Sequence, residues 1–401
     1  MSELRINSER LEKSIRTMGE VGADSVGGGR TRLALTDEDR AGRDLLCSWL
    51  REAGCEVRID KIGNIFGVRE GTEKDALPVM MGSHIDSVRN AGMFDGVYGV
   101  LGALEVIRNV KTKRPMDLAT FTNEEGARFQ LDMMGSIAYT NTMPLEELYA
   151  ISDDKGLTVE SELKRIGYCG NETVPVGSYF ELHIEQGPKL DAEGINIGVV
   201  EGIQGLAWWS VEYFGESNHA GSTPMDMRKD TLLAAAEVAL AAEAIANDLG
   251  QGSVATMGRI KPEPDVINIV PGKCTFTMDF RQPDKELLEK SKLGIEAVFA
   301  TCAKKRGLKC RVRRLAEVDP VTFDTEMVAT VEAKAKELGF STKRMYSGAS
   351  HDAQFLCPVC PSAMIFVPSI KGRSHCPEER TEFADAANGC NVLLLSVLET
   401  A

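Results

Sequence analysis

"MGSHIDSVRNAGMFDGVYGVLGALEVI", residues 81–107, decides the reading of this chain. LPVMMGSH (77–84) has the length and composition of a buried strand, and VYGVLGALEVIRNV (97–110) sets Val97, Val100, Leu101, Leu104 and Ile107 on one helical face. Between them lie His84, Asp86 and Asp95, an imidazole and two carboxylates on a turn that contains glycine. Carboxylates gathered between a strand and a helix need a positive partner. A metal ion is the candidate, and the rest of the chain must then supply further ligands.

The same alternation extends outward from this stretch. DEDRAGRDLLCSWLREAG (37–54) has helical periodicity and stops at Gly54, while LATFTN (118–123) and SYFELHIE (178–185) read as strands. Strands alternating with helices predict an α/β domain with a mostly parallel sheet. From about residue 210 the pattern changes. SVEYFG is a strand, KDTLLAAAEVALAAEAIANDLG (229–250) an Ala-rich helix, and SVATMGRI (253–260) and KCTFTMDFR (273–281) are strands. A second helix (284–307) and a last strand (308–315) complete the order β-α-β-β-α-β, that of a ferredoxin-like α+β module. The first style returns with a helix over 326–338, a Gly/Ser-rich turn at 347–350 and the strand AMIFVP (363–368). The expectation is therefore a larger domain of residues 1–209 and 326–401, with the smaller module inserted over 210–325. A chain of 401 residues is long enough for two cores.

Composition removes several function classes. The net charge of −14 argues against a nucleic-acid partner, which requires a basic face. No run of eighteen apolar residues is present, so a membrane span is not expected. The N-terminal stretch MSELRINSERLEKSIRTMGE is charged throughout and lacks the apolar core of an export signal, which makes a cytoplasmic location the expectation. The ten cysteines are scattered, and the CPVC pair, Cys357 and Cys360, has no second pair at zinc-site spacing, so free thiols are expected.

Only five histidines occur, and all lie at strand ends or in turn-rich segments. His84 ends one predicted strand, Glu124 and Glu125 end another, His183 lies near the end of a third, and His375 follows a fourth. Ligands in open α/β sheets collect beyond the carboxyl ends of the strands. Four strand ends thus deliver imidazoles and carboxylates to one edge, and Asp95 joins them from the turn before the helix. Nitrogen and oxygen donors without thiolate suit zinc, and also cobalt, nickel or manganese. Five ligands, one a carboxylate able to bridge, fit two ions about 3.5–4 Å apart. Consecutive residues at a strand end point in different directions, so one of Glu124 and Glu125 can bind metal while the other acts as general base. Asp86 is expected to orient His84 through the other ring nitrogen.

The motifs GSHIDSV, GMFDGVYGVLGALE, TNEEGARF, HIEQGP, NHAGSTPMDMRKD and SGASHDA together resemble the M20 metallopeptidase family. The likeness spans nearly the whole chain. It is closer to the amidase branch of N-carbamoyl-L-amino acid hydrolases, β-ureidopropionases and allantoate amidohydrolases, because His183 stands where the peptidases usually carry an acid. The resemblance implies two divalent ions per subunit, zinc first among manganese, cobalt and nickel. His84 and His183 would hold one, Glu125 and His375 the other, and Asp95 would bridge them. Glu124 would be the general base. Gln186 would contact the substrate, Asn268 and Arg281 would bind its carboxylate side, and His351 with Gly348 would line the pocket. His219 would reach in from the small domain of a neighbouring subunit to stabilise the oxyanion. A homodimer built through the inserted domain, which doubles as a lid, follows. The implied activity is hydrolysis of an N-carbamoyl amino acid. The alternatives are allantoate hydrolysis, an aminoacylase or dipeptidase activity, and a non-catalytic metal-stabilised binding protein.

Overall fold

The computed structural model describes residues 4–24, 27–73 and 75–401; the first three residues of the charged N-terminal stretch lie outside these. The chain divides into two compact units, residues 1–202 with 322–401, and residues 203–321. The first division falls ahead of the expected 209/210, because the strand Gly205–Phe214 pairs along its whole length within the smaller unit's sheet, and the second falls at 321/322 rather than 325/326, a few residues after that sheet's last strand ends at Val318.

Four strands form the parallel heart of the larger unit. They run Met116–Phe121, Val79–His84, Ser178–Ile184, Ser362–Val367 across the sheet. Every residue of all four is buried. Such strands lack the in–out alternation of a half-exposed sheet because both faces are covered. Antiparallel strands Ile65–Arg69 and Ile197–Ile203 flank the quartet, one on each side. The helix Val97–Asn109 was expected to bury one face. Instead each residue from Val97 to Ile107 is buried. It lies against the strands Val79–His84 and Ser178–Ile184 and also against the helices Ser8–Gly19 and Phe383–Thr400, so no side is left to solvent. Its first residue follows Gly96, whose φ is +63°, and a Cβ at Gly96 would overlap the His84 ring. Glycine is required there by both conformation and space.

The smaller unit carries an antiparallel sheet in the order Lys309–Val318, Gly205–Phe214, Lys273–Gln282, Val254–Glu263. That is the strand order of a ferredoxin-like module. Burial alternates strictly along Lys273–Gln282, and the buried face includes Cys274, Phe276, Met278 and Phe280. Helices Thr231–Leu249 and Lys285–Lys305 cover this face with Val238, Ile295 and Phe299. Asp230 and Asp284 cap the two helices by accepting the Leu233 and Leu287 N–H groups.

Candidate metal centre

Parallel topology sends the carboxyl ends of the four central strands to one edge of the sheet. His84 is the last residue of its strand and His183 the last but one of its own. Glu124 and Glu125 follow Met116–Phe121 through a turn in which Asn123 has a φ of +55°. The Asn123 side chain donates to the Phe129 and Leu131 carbonyls and pins that turn. His375 sits in the loop after Ser362–Val367, also at positive φ.

These ends converge on Asp95. Its Oδ1 lies 3.3 Å from His183 Nε2 and 3.6 Å from His84 Nε2. Its Oδ2 lies 3.3 Å from His375 Nε2, which is also 3.3 Å from Glu125 Oε2. Two groups able to hold a cation result, His84–Asp95–His183 and Asp95–Glu125–His375, with Asp95 common to both. Glu124 belongs to neither group, yet its Oε2 is 3.4 Å from His84 Nε2.

Divalent cations fit this donor set on three counts. Tetrahedral ligation with bonds of about 2.0–2.1 Å places ligand atoms about 3.3 Å apart, close to the spacings observed. The ring nitrogens are correctly oriented: His84 Nδ1–H donates to the Asp86 carbonyl and His183 Nδ1–H to the Ile184 carbonyl, each at 2.9 Å, which turns both Nε2 atoms toward Asp95; a cation at His183 would replace the Gly96 N–H that its Nε2 accepts at 3.2 Å. Glu125 Oε1 is buried with no hydrogen-bond partner, a vacancy that a cation satisfies.

Charge placement is equally uneven. Burial alone would raise Asp95, but hydrogen bonds with His183, His375 and His84 hold it well below the usual carboxylate range. Burial lifts Glu124 well above its ordinary value, against the opposing pull of His84 and with help from Glu125, Asp352 and Asp95. Burial and Asp95 push Glu125 up to about 7. The hydrogen bond to Asp95 carries His375 up to about 9, against the cost of burial.

Asp86 meets His84 at Nδ1, as expected, but through its backbone rather than its side chain. Its carboxylate is 3.9 Å from His84 Nδ1, and the nearer partner of that nitrogen is the Asp86 backbone carbonyl. The carboxylate reaches instead across to the neighbouring strand end and accepts the N–H groups of Glu124 (3.3 Å) and Glu125 (3.4 Å). Asp86 thus braces the two glutamates, and the chain turn at residue 86 orients the imidazole.

Gln186, at a φ of +56°, donates from Nε2 to Asp95 Oδ2 at 2.8 Å. His351 is buried edge-on to His183, with ring centroids 4.6 Å apart, and its Nε2 is 3.0 Å from Ser347 Oγ across the turn that contains Gly348. Burial, aided by His183, keeps this imidazole well below its ordinary value, hence neutral.

The remaining expected residues lie in the smaller unit. His219 is exposed on a two-residue strand paired with Ile269–Val270. Its Nδ1 accepts the Gly221 and Ser222 N–H groups, both at 3.1 Å, so the ring proton resides on Nε2. Arg228 closes this loop by donating to the Thr223 and Ala220 carbonyls. The Asn268 carbonyl accepts the Ala220 N–H, and Arg281 pairs with Asp279 on its own strand. Two residues absent from the sequence expectations also touch the centre. Ser374 donates to Asp95 Oδ2 at 2.7 Å, and Glu379 accepts the Phe94 and Asp95 N–H groups. Their only sequence signal was position, on either side of His375.

The pattern of the Peptidase family M20/M25/M40 matches residues 80–399, and the chain belongs to this family. Among its relatives, an N-carbamoyl-L-amino-acid amidohydrolase of Rhizobium meliloti is 42% identical over 405 residues, which is 99% of this chain and 97% of the relative. The allantoate amidohydrolase of Escherichia coli (strain K12) is 34% identical and is matched over 98% of both chains. The crystal structure of an amidase of the hydantoinase/carbamoylase family from Burkholderia multivorans superposes with a TM-score of 0.96 at 40% identity, covering 99% of this chain and 98% of that one.

Proposed function

We propose that the protein is a dinuclear metal-dependent amidohydrolase that cleaves the ureido C–N bond of an N-carbamoyl amino acid, yielding the amino acid, carbon dioxide and ammonia. The observation that carries this reading is the position of Glu124. It is a buried carboxylate beside His84 yet outside both ligand groups, so it is available to move a proton. The 42% identical relative named for N-carbamoyl-L-amino acids supports the substrate class.

Two bound divalent ions, zinc first among the candidates, would supply Lewis acidity and a stronger water nucleophile. His84, Asp95 and His183 would hold one and Asp95, Glu125 and His375 the other. Glu124 takes the proton from the attacking water and returns it to the leaving nitrogen as the first C–N bond breaks, and the carbamic acid so released decomposes in water to carbon dioxide and the second amine. His219 offers Nε2–H to the developing oxyanion, a contact worth about 2.7–4 kcal/mol in comparable sites. Arg281 presents a planar fork for the substrate carboxylate, which requires exchange of its Asp279 partner, and Asn268 lies close by in sequence to the His219 strand partner Ile269. Gln186 and the neutral His351 border the ligand groups and would face the ureido end.

His219 and the metal ligands lie in different units of the chain. We place His219 at the centre of a partner subunit, in a homodimer built through the smaller unit, with closure completing each site. Among the described residues no helix is long and apolar enough to cross a membrane. Ten unpaired thiols support a cytoplasmic location.

The test is ammonia release from N-carbamoyl-L-methionine, N-carbamoyl-β-alanine and allantoate in parallel, with and without a chelator. Chelator-sensitive release from an N-carbamoyl amino acid is expected. Release from allantoate alone would transfer the assignment to the activity named for the Escherichia coli relative.

A further inference from the structure

Asp95 is the residue common to both ligand groups, and both of its oxygens are committed in different directions. A small rotation of this one carboxylate would therefore disturb two metal positions at once. Gln186 donates to its Oδ2 at 2.8 Å, and a second hold comes from the far end of the chain. Glu379 is 6% exposed, and its Oε1 accepts the Phe94 N–H at 2.8 Å and the Asp95 N–H at 3.2 Å. Its Oε2 lies 3.2 Å from Ser374 Oγ, and that same hydroxyl is 2.7 Å from Asp95 Oδ2. One side chain thus fixes the backbone of Asp95 directly and stands against the serine whose single hydroxyl proton goes chiefly to the Asp95 carboxylate. The loop must lie flat on Glu379 for this, and Gly92 permits it, since a Cβ at residue 92 would overlap the Glu379 side chain.

We infer that Glu379 is a positioning residue for the bridging carboxylate, and that both metal sites depend on it although it ligates neither. The inference rests on the reading of Asp95 as a bridge between two cations. Partners that orient metal ligands typically contribute about 10–100-fold in metal affinity. Because Asp95 serves both groups, loss of Glu379 weakens both equivalents, whereas loss of an unshared ligand such as His375 weakens one.

The test measures Zn²⁺ and Mn²⁺ dissociation constants by competition with a chromophoric chelator, together with metal stoichiometry by elemental analysis. Circular-dichroism melts of the metal-free proteins are recorded alongside. Glu379→Ala is expected to weaken both equivalents about 10–100-fold. Glu379→Gln keeps an acceptor oxygen for the two N–H groups and should stay within about threefold of wild type, a rescue by the conservative variant. Gly92→Ala, which displaces Glu379 without altering it, should also weaken both equivalents and keeps the idea testable if Glu379→Ala does not fold. His375→Ala should weaken one. Folded Glu379→Ala and Gly92→Ala proteins that bind both metals as wild type does would overturn the inference alone. Equal losses in Glu379→Ala and Glu379→Gln would also overturn it. A wild-type protein that binds no divalent cation would remove the bridge reading itself.

Discussion

Glu124→Gln exchanges one oxygen for nitrogen on a carboxylate that belongs to neither ligand group. The two side chains have nearly the same size, and the carboxylate's neighbour at ion-pair distance is His84, 3.4 Å away. Nothing that orients His84 is touched, because its Nδ1 is held by the Asp86 carbonyl. Metal content should therefore stay at the wild-type value. The amide cannot accept a proton from water, so the general-base contribution of about 10²–10⁴ in kcat should vanish. That corresponds to about 2.7–5.5 kcal/mol on the barrier. The assay is ammonia release at saturating N-carbamoyl substrate, with metal per chain determined by elemental analysis of the same samples. Glu125→Gln is the contrast, since it alters a group member and should release one ion. A Glu124→Gln protein that loses metal, or one that keeps metal and turns over within tenfold of wild type, would refute the division of labour between the adjacent glutamates.

Other predictions concern the rest of the molecule. Chelation should abolish activity, with recovery on adding Zn²⁺, Mn²⁺, Co²⁺ or Ni²⁺; full activity in a preparation shown to be metal-free would end the metal reading. Asp95→Ala should lose both ions and His84→Ala one, read by the same elemental analysis. Mixing Glu124→Gln with His219→Ala under subunit exchange should restore up to about a quarter of wild-type activity, as half the dimers would each carry one intact site. No recovery despite demonstrated exchange would place His219 within its own subunit's site or outside the chemistry. Asp117 is buried at 2% exposure, with Oδ1 lacking a hydrogen-bond partner, and burial raises its carboxyl to about 7. The folded state then binds the proton more tightly than the unfolded one, so this group's contribution falls as pH rises from about 4 through 7. Asp117→Asn should raise the melting temperature at pH 8, by at most about 4 kcal/mol in stability, and change it little at pH 4. A variant equally stabilised at both values would contradict that cause.

Much of this protein was legible in its residues. Local patterns determined the strands around His84 and His183, the helix after Gly96 and the two long helices and four-stranded sheet of the smaller unit, but not its short Asn218–His219/Ile269–Val270 pair, because side-chain periodicity and turn residues act over a few neighbouring positions. The gathering of His84, Asp95, His183, His375 and the pair Glu124–Glu125 as candidates was also readable, since parallel strands must deliver their carboxyl ends to one edge, whereas the choice of Glu125 over Glu124 as ligand came from the family resemblance. Tertiary structure decided what depends on distances between remote segments. Full burial of Val97–Ile107 arises from helices at the two ends of the chain, which no local period reports. Asp86 turned from its imidazole to brace Glu124 and Glu125 because the next strand end lies within reach of its carboxylate. Glu379 was invisible as a functional residue: its partners, Phe94 and Asp95, lie more than 280 positions away in sequence, and only folding brings their N–H groups to its carboxylate.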